Sequence, residues 1–431
     1  MNVEAARRFR LKSLIAKTYQ SFGFQPIETS ALENLNILVG TGGGEENEKL
    51  IFKVLKRGEK LKESLTKPNV QENDLTDFGM RFDLTLPLSR VVANARNEIS
   101  FPWKVFQMGP VWRAERAQKG RFREFTQCDV DIIGSSHRSA EMEVIQAVTH
   151  AISGLHGVAG AGSKDFELRM NDRRILSGLA EQAGLKDKSA ASFAILLDKK
   201  DKVSAEELEA ELKTLVSSSG KLDLALKALS GELTLKDAKS FAEEAASHLS
   251  LLIGELELMN LPISRVVFDP SLARGLGYYT GTIYELRHAS AGYSIGGGGR
   301  YDQLIGRFSK QTYPAVGFSI GFDRLLLLLE ETEKASASGD ESTIFFPVMD
   351  EKLRMAVLDL AKSVRQSGRA IDVYPEEAKL KTQLKFAEDK GYRWIVIAGE
   401  TEFQNKKFNL KDFKNRSEVC FDLQGILNHL K

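Results

Sequence analysis

Five cationic side chains lie within eleven positions, on both sides of the dipeptide Lys119-Gly120. A polar residue followed by glycine, between two stretches that favour strands, is typical of a hairpin turn. Arginine and lysine bind phosphate and carboxylate groups, and arginine can do so with two parallel hydrogen bonds. The five cations are Arg113, Arg116, Lys119, Arg121 and Arg123. The segment therefore predicts an anion site near the turn of a β-hairpin.

The second strand of this hairpin, expected over residues 121–134, has two different faces because strand side chains alternate. One face is apolar and is expected to pack on a core; it consists of Phe122, Thr126, Cys128, Val130 and Ile132. The other face has cations near the turn and amide or acid groups beyond it; it consists of Arg121, Arg123, Gln127, Asp129 and Asp131. Such a face suits a composite ligand, with phosphate near the arginines and an amine or imidazole near the carboxylates.

The competing interpretation is a solvated hairpin whose charges form surface ion pairs, which are common and contribute little free energy. Gln127 and the two aspartates are poor strand formers, and the apolar back face indicates burial. The pattern therefore favours a ligand site over a solvated hairpin.

Two glycine-rich segments could bring backbone close to a nucleotide. One is RGLGYYTG at 274–281, which joins a lone arginine to two tyrosines, and the other is GGGGRYD at 296–302. Flexible turns are the alternative for both. Neither segment has the pattern of a P-loop or a dinucleotide-binding fold. The six histidines show no metal-ligand spacing, and no Ser-His or Cys-His arrangement stands out, which argues against a zinc enzyme or a triad hydrolase.

Strands and turns are expected over 84–134, with the first hairpin strand at 105–115. The start of the chain predicts a helix over about 3–21, ended by Gly23. Its arginines also resemble an organellar transit peptide, but the strand-like 24–28 follows directly, which favours the helix.

The middle of the chain predicts helices over 171–261, and strand-like, glycine-rich sequence returns at 266–321. A leucine-rich helix at 322–330 then meets a polar linker at 331–343. Strand and helix patterns alternate from 344 to 431. That alternation favours a small α/β domain with a largely parallel sheet.

Composition limits the class of protein. The chain has 431 residues, which predicts two to four domains, and its 60 Lys+Arg against 59 Asp+Glu give a net charge of +1. This balance excludes a globally basic nucleic-acid protein but not a local basic site. No stretch is apolar enough to span a membrane. Two cysteines, Cys128 and Cys420, cannot form a disulfide framework, so a reducing, cytoplasmic setting is expected.

Four segments of the chain carry a resemblance, in the order RFDLT at 81–85, GPVWRAERAQKGRFREFTQ at 109–127, SLARGLGYYTG at 271–281 and AVGFSIGFDR at 315–324. The second and fourth resemble motifs of the class II aminoacyl-tRNA synthetases. The first and third are similar to the amino-acid-binding strand and the signature of the histidyl-tRNA synthetase family. The resemblance extends over almost the whole chain.

The resemblance implies a histidine site and a chemical mechanism. Asp83, Thr85 and Gln127 would hold the α-ammonium group, with Leu84 in the same segment, and Asp131 and Tyr279 would hydrogen-bond the imidazole beside Tyr278. Arg113 and Arg274 would be the catalytic residues: Arg113 bridges the histidine carboxylate and the α-phosphate, and Arg274 is a fixed cation near both. The carboxylate of histidine would attack ATP directly, so no protein nucleophile is needed.

The resemblance also implies sites for ATP and tRNA. Glu115, Arg121 and Arg324, with Arg113, would position ATP and Mg²⁺, without a dedicated protein cage for the metal, and Phe125 would stack on adenine. Arg116, Gln118 and Lys119 would contact the acceptor stem of tRNA(His). The domain after the linker would bind the anticodon.

The expected fold is an α+β catalytic core with a mixed, mainly antiparallel sheet. The expected domains are the core at 1–170 and 262–330, a helical insertion at 171–261, the linker at 331–343 and the anticodon-binding domain at 344–431. A homodimer is implied, because the first helix and the strand at Pro26 match the segment that forms the family's dimer interface.

One departure and one alternative stand against the resemblance. The family usually has aspartate where this chain has Gly277, so a carboxylate is missing there and a more pliable loop is expected. The alternative function is the non-catalytic, histidine-sensing regulatory subunit of ATP phosphoribosyltransferase. That relative usually lacks the last domain and the ATP-binding arginines, both of which this chain has.

Overall fold

The computed structural model describes residues 2–39, 48–116, 118–155, 165–200, 203–216, 219–274, 277–333 and 343–430. The chain divides into two units, Met1–Glu333 and Lys334–Lys431. Most of the predicted linker, and residues 275–276 of the predicted signature, lie outside the described residues.

An eight-stranded sheet organises the first unit. In spatial order its strands are β1 (Gln25–Pro26), β5 (Trp103–Trp112), β6 (Glu124–Ile133), β11 (Ala315–Gly321), β10 (Ser294–Arg300), β9 (Thr282–His288), β7 (Phe166–Asp172) and β8 (Arg265–Phe268). The two outermost pairs, β1–β5 and β7–β8, are parallel, and the pairs between them are antiparallel. The predicted mixed, mainly antiparallel sheet is therefore confirmed.

One face of this sheet is covered by long helices. They are α1 (Asn2–Ser21), α6 (Arg138–Gly154), α11 (Leu235–Leu258) and α12 (Phe322–Glu333). Cys128, Val130 and Ile132 of β6 enter this core, as the alternation predicted, and Cys128 is a free thiol. Phe122 was predicted on the same face but is exposed, because β6 begins only at Glu124.

Helix α1 belongs to the folded core. Leu11, Ile15 and Tyr19 recur every four residues, so they share one helix face, and all three are fully buried. The helix ends at Ser21, and Gly23 has φ of +80°, a conformation that glycine adopts at little cost. The predicted helix is therefore present, and its apolar face packs in the core of the first unit.

A smaller sheet lies beside the large one, in the order β2 (Leu32–Asn34), β4 (Thr76–Met80) and β3 (Lys53–Leu55). Short helices accompany it: α2 (Leu35–Val39), α3 (Glu59–Leu65), α4 (Glu72–Leu75) and α5 (Thr85–Ala95).

The prediction of only strands and turns over 84–134 was wrong, because α5 is a helix. Pro87 lies in its first turn, where a backbone N–H has no helical partner to lose. Leu86, Leu88 and Val92 bury one side of α5. Thus 81–85 is a loop leading into a helix, not a strand.

In the described parts of residues 173–258 the chain forms five helices, as the helical pattern predicted. They are α7 (Arg173–Gln182), α8 (Asp187–Asp198), α9 (Ala205–Leu215), α10 (Ser219–Ser230) and α11. The first four share a separate apolar cluster that includes Leu179, Leu196 and Leu212, whereas α11 packs mainly in the core under the large sheet. Leu272, Ala273 and Ile283, which follow these helices in the chain, also join that cluster, so the four helices pack on residues near the site.

The second unit contains one five-stranded sheet. Its spatial order is β13 (Ala370–Val373), β12 (Thr343–Phe346), β14 (Trp394–Ile397), β15 (Phe408–Asp412) and β16 (Ser417–Phe421). Its helices are α13 (Arg354–Arg365), α14 (Leu380–Asp389), α15 (Glu400–Asn405) and α16 (Leu423–His429).

The prediction of a largely parallel sheet here needs correction, because β15 and β16 are antiparallel. Only residues 413–416 join them, and so short a connection permits no parallel crossover. The carboxylate of Asp412 accepts the N–H groups of Lys414 and Asn415 and so holds this turn. No described helix of either unit is long and apolar enough to cross a membrane.

Candidate active site

A cavity of about 530 Å³ opens on the face of the large sheet opposite the long helices. The loop after β4, the β5–β6 hairpin, β10, β11 and the segment around Arg274 form its walls. Ten residues predicted for the site line it: Asp83, Arg113, Glu115, Arg121, Phe125, Gln127, Arg274, Tyr278, Tyr279 and Arg324. The fold thus brings together residues that are up to 241 positions apart in the sequence.

Four arginines converge on this cavity: Arg113, Arg121, Arg274 and Arg324. The pKa of Arg324 is lowered to about 10, first by burial and then by the positive charges of Arg274, Arg121 and Arg113. Four positive charges at one site repel one another, and a bound anion would relieve that repulsion. This end of the cavity is therefore built for a polyanion such as a nucleotide triphosphate.

Each of these arginines is held by protein groups that leave part of the guanidinium free for a ligand. Arg324 donates to the carbonyl oxygens of Gly120 and Ser294, at 2.7 and 3.1 Å. Arg113 donates to the carbonyl of Phe82 at 3.1 Å and lies over the ring of Phe125, 5.0 Å from its centroid. The hairpin turn, the start of β10 and the first turn of α12 are thus joined across the cavity.

Arg274 is positioned by a buried carboxylate. Its Nε lies 2.9 Å from Oε1 of Glu285, whose other oxygen lies 2.6 Å from Nε of Arg287. These two cations hold the pKa of Glu285 below its usual range despite the opposing effect of burial. A Cβ on Gly297 would lie 2.0 Å from Nη1 of Arg274. The glycine run at 296–299 is therefore a strand that makes room for Arg274, not a flexible turn.

The other end of the cavity presents acceptors. Asp83 is buried, accepts the N–H of Leu86 at 3.1 Å, and has its pKa raised to about 6 by burial. Gln127 donates from Nε2 to Oγ of Ser319 at 2.6 Å. Its Oε1 is buried and has no hydrogen-bond partner among the described residues. Acceptors without donors at a buried site indicate a ligand that brings N–H groups.

Asp131 lies behind this wall and does not line the cavity. Its Oδ1 accepts the hydroxyl proton of Tyr301 at 2.7 Å, while Oδ2 is buried and has no partner within the described parts of the chain. Burial raises the pKa of Asp131 to about 7. A Cβ on Gly317 would lie 1.9 Å from Oδ1 of Asp131, so any larger residue at position 317 would clash with this carboxylate.

Tyr278 and Tyr279 cover the same end, with ring centroids 4.6 Å apart in an edge-to-face arrangement. Burial raises the pKa of both phenols, so both stay neutral and can donate or accept hydrogen bonds. The carbonyl of Gly277, where the family usually has aspartate, accepts from Nη2 of Arg307 at 3.1 Å. The side chain of Arg307 therefore holds the peptide group of Gly277 in place.

Six predicted residues do not line the cavity: Asp131, described above, and five others. Leu84 is buried beneath it, and Thr85 begins α5. Arg116, Gln118 and Lys119 are exposed on the hairpin turn, where Gly120 has φ of +74°. Their side chains face solvent at the rim of the cavity, next to Glu115 and Gly120.

The sequence analysis placed Asp129 on the ligand-binding face of β6 but gave it no role of its own, and it missed four other residues that support the site: Glu285, Tyr301, Ser319 and Asp323. The alternation of β6 placed Asp129 on the face of Gln127 and Asp131, and that was the available signal. Glu285 and Tyr301 carried no such signal, because their contacts depend on the order of strands in the sheet. Within the described ranges, no three acidic, histidine or cysteine side chains are grouped closely enough to hold a metal ion.

Comparisons with known proteins identify the family of this chain. Residues 2–325 match the family model described as histidyl-tRNA synthetase, and residues 341–431 match the model of an anticodon binding domain. A histidine–tRNA ligase from Leifsonia xyli subsp. xyli is 40% identical, over 90% of this chain and 91% of the relative. One from Christiangramia forsetii is 35% identical, over 99% and 96%. The crystal structure of histidyl-tRNA synthetase from Nostoc sp. PCC 7120 is similar with a TM-score of 0.79 and 25% identity, covering 99% of this chain and 95% of that one.

Proposed function

This chain belongs to the histidyl-tRNA synthetase family and charges tRNA with histidine, and we propose that the cavity described above performs the chemistry. The observation that carries this assignment is the division of the cavity into two ends. Four arginines line one end, and the other end has the buried carboxyl group of Asp83 and the carbonyl oxygen of Gln127, which has no partner among the described residues. ATP fits the first end and the two nitrogen-bearing groups of histidine fit the second.

In the first step a carboxylate oxygen of histidine attacks the α-phosphorus of ATP. The new bond joins that oxygen to phosphorus, and the bond from the α-phosphorus to the bridging oxygen breaks, so pyrophosphate leaves. Negative charge grows on the α-phosphate oxygens, where Arg113 and Arg274 stabilise it. Because Glu285 already holds Arg274 in place, little reorganisation is needed when that charge develops.

Histidine is recognised at the other end. Asp83 and the carbonyl oxygen of Gln127 accept from the α-ammonium group, and Thr85 at the start of α5 adds a hydroxyl. Tyr279, with Asp131 behind it, hydrogen-bonds the imidazole nitrogens, and Tyr278 packs beside the ring. A site whose buried acceptors need both groups discriminates strongly against amino acids that lack an imidazole.

ATP occupies the arginine-lined end, where Arg121 and Arg324 contact its phosphates and Phe125 stacks on adenine. Mg²⁺ would neutralise part of the charge of the triphosphate, and Glu115, whose carboxylate lies 3.7 Å from Arg121 at this end, would provide an oxygen ligand for it.

In the second step a hydroxyl of the terminal ribose of tRNA attacks the carbonyl carbon of the adenylate, and AMP leaves. The exposed hairpin residues Arg116, Gln118 and Lys119 contact the acceptor stem at the rim of the cavity. The second unit binds the anticodon of tRNA(His). The match of residues 341–431 to the model of an anticodon binding domain supports this assignment.

We also propose a homodimer in the cytoplasm. Strand β1 is at the edge of the eight-stranded sheet, and Phe9 on α1 is 75% exposed. An open sheet edge and an exposed aromatic ring both suit contact with a second copy. Light scattering after size exclusion should give a mass near 96 kDa, about twice the 47.9 kDa of one chain.

The experiment that tests the activity is exchange of labelled pyrophosphate into ATP. L-histidine should be required for exchange, and no exchange at any Mg²⁺ concentration would overturn the assignment. Charging of tRNA(His) tests the second step. No observation favours the regulatory-subunit alternative, since all four arginines of the nucleotide end line the cavity.

A further inference from the structure

Glu141 is a buried charged residue of the first unit with no part in the chemistry proposed above. It lies in the first turn of α6, and its side chain is 0% exposed. Although burial opposes ionisation, contacts with His248, Arg300 and Thr282 hold the pKa of its carboxyl group at about 2. The group is therefore charged at neutral pH. Because a buried charge is costly unless it is paired, its partners indicate what it does.

Glu141 lies behind the large sheet, on the side opposite the cavity. In β10, a Cβ on Gly299 would lie 3.1 Å from Cδ1 of Tyr279, so position 299 faces the cavity. Because strand side chains alternate, Arg300 points away from the cavity and toward the helices. There its Nη2 lies 3.2 Å from Oε2 of Glu141. Neither Glu141 nor Arg300 lines the cavity, so any effect of this ion pair on a ligand must be indirect.

The carboxylate binds the two strand ends next to the tyrosine segment, YYTG at 278–281. Its Oε1 accepts the hydroxyl proton of Thr282, the first residue of β9. Its Oε2 pairs with Arg300, the last residue of β10. Glu141 therefore holds both the strand that begins directly after the tyrosine segment and the strand end that the segment contacts.

Arg300 supports the tyrosine segment through its backbone and its side-chain stem. The N–H of Thr280 donates to the carbonyl oxygen of Arg300 at 2.8 Å, and the hydroxyl of Thr280 accepts the N–H of Asp302 at 3.1 Å. A Cβ on Gly281 would lie 3.3 to 3.6 Å from Cβ, Cγ and Cδ of Arg300, so the segment packs on the stem. A displaced Arg300 would therefore displace the segment.

A different carboxylate holds the catalytic arginine that precedes this segment. Nε of Arg274 lies 2.9 Å from Oε1 of Glu285. Loss of Glu141 should therefore disturb the tyrosines at the imidazole end of the cavity more than the arginines at the nucleotide end.

We propose that Glu141 is a positioning residue that holds the tyrosine segment from behind the sheet, and so sets the affinity for the imidazole group. The inference rests on the proposed function, in which Tyr279 hydrogen-bonds the imidazole. Without the carboxylate, Thr282 and Arg300 lose their common anchor, and the phenol of Tyr279 is no longer fixed in place.

Steady-state pyrophosphate exchange by Glu141→Gln tests the proposal, because the amide keeps the shape of the side chain and removes its charge. KM for histidine should rise about tenfold, the value of a hydrogen bond to a charged group, and KM for ATP should change by less than about twofold. Glu255→Gln is the matched control. Glu255 joins α6 to α11 through Arg138 at 2.6 Å, as Glu141 does through His248 at 3.2 Å. The control should leave both constants unchanged.

A rise in KM for ATP as large as that for histidine would show a general loosening of the fold and overturn the proposal. A KM for histidine within about threefold of wild type would overturn it as well. Thr282→Val removes only the hydroxyl that donates to Glu141, so it decides the matter if Glu141→Gln does not fold. It should raise KM for histidine about threefold, and a change of less than about twofold would count against the proposal in the same way.

Tyr279→Phe provides a background in which the phenol no longer binds the imidazole. Adding Glu141→Gln there should raise KM for histidine by less than about threefold, because the group that Glu141 positions is already absent. A further rise of threefold or more would contradict the proposal. Histidine-dependent exchange by the wild-type protein tests the proposed function separately. If the wild type is active and Glu141→Gln behaves like the control, only the inference about Glu141 fails.

Discussion

Arg8, in the first helix, donates from Nη1 to Oδ1 of Asp323 at 2.6 Å, across 315 positions of sequence. The other oxygen of Asp323 accepts the N–H of Thr126 on β6, also at 2.6 Å. Asp323 is part of the cavity wall. The start of the chain, the central hairpin and the last helix of the first unit are therefore joined at one carboxylate beside the site.

Replacing Arg8 by alanine should lower the free energy of unfolding of the first unit by about 1 kcal/mol, since the pair is partly exposed. Urea denaturation followed by circular dichroism measures it. Arg10→Ala is the control, because Arg10 is exposed on the same helix. Equal losses for the two variants would contradict the importance of the Arg8–Asp323 contact.

Arg274→Ala should abolish adenylate formation, with a fall in kcat of at least about a hundredfold, while histidine binding stays largely intact. Glu285→Gln should lower kcat less, because it leaves the guanidinium present but poorly held. Pre-steady-state measurement of adenylate, with calorimetry for histidine, separates the two effects. Activity of Arg274→Ala within tenfold of wild type would refute the role given to this residue.

Gly297→Ala should leave the protein folded but displace the guanidinium group of Arg274. Its effect on activity should therefore resemble that of Arg274→Ala. The added Cβ would lie 2.0 Å from Nη1 of Arg274, and the carbonyl of Tyr284 at 2.8 Å prevents the strand from moving away. Pyrophosphate exchange should fall by about a hundredfold or more. Gly292→Ala is the matched control, since a Cβ there meets nothing within 4 Å. If Gly297→Ala and Gly292→Ala had comparable activity, the claim that glycine at 297 makes room for Arg274 would be wrong.

Tyr301→Phe removes the one hydrogen bond that holds Oδ1 of Asp131, without adding volume. It should raise KM for histidine about threefold to tenfold and leave KM for ATP unchanged, because the nucleotide lies at the other end. Asp131→Ala should raise the same KM further. Steady-state pyrophosphate exchange measures both constants, and an unchanged KM for histidine in Asp131→Ala would contradict its assignment to the imidazole.

The pKa of Asp83, raised to about 6, and that of Asp131, raised to about 7, set opposite trends for stability and binding. The empty folded protein binds these protons more tightly than the unfolded chain, so its free energy of unfolding should fall as pH rises from about 4 to about 7. Each group contributes at most about 1.4 kcal/mol per pH unit.

Histidine binding needs the ionised carboxylates, so its affinity should rise over the same interval. Thermal unfolding with and without histidine, at closely spaced pH values, measures both trends. Asp83→Asn should remove the lower part of the pH dependence of stability. This account would be contradicted if, without histidine, the free energy of unfolding of the wild-type protein rose between pH 4 and 7 and that of Asp83→Asn rose in the same way.

The sequence predicted local features of the site well. Period-two alternation correctly separated Cys128, Val130 and Ile132 from Gln127, Asp129 and Asp131, because only local geometry decides which face a strand residue occupies. The turn at Lys119-Gly120 was likewise predicted from glycine's access to positive φ.

Contacts between distant strands could not be predicted in this way. Glu285 meets Arg274, and Tyr301 meets Asp131, only because β9, β10 and β11 are ordered beside β6 in the sheet. The pattern of single segments contains no information on that order. The α5 helix and the β15–β16 hairpin were missed for a related reason, since tertiary burial and a short connection decided them.

Strand β6 also constrains how the length of this chain can change. Its ten residues alternate between the helix-covered core and the histidine end of the cavity. Deletion or insertion of one residue within it would exchange the faces, sending carboxylates into the core and Val130 toward the substrate. Length variation among related chains should therefore be absent from β6 and concentrated at the exposed tip of the hairpin, where an added residue alters the reach toward tRNA but leaves amino-acid selection unchanged.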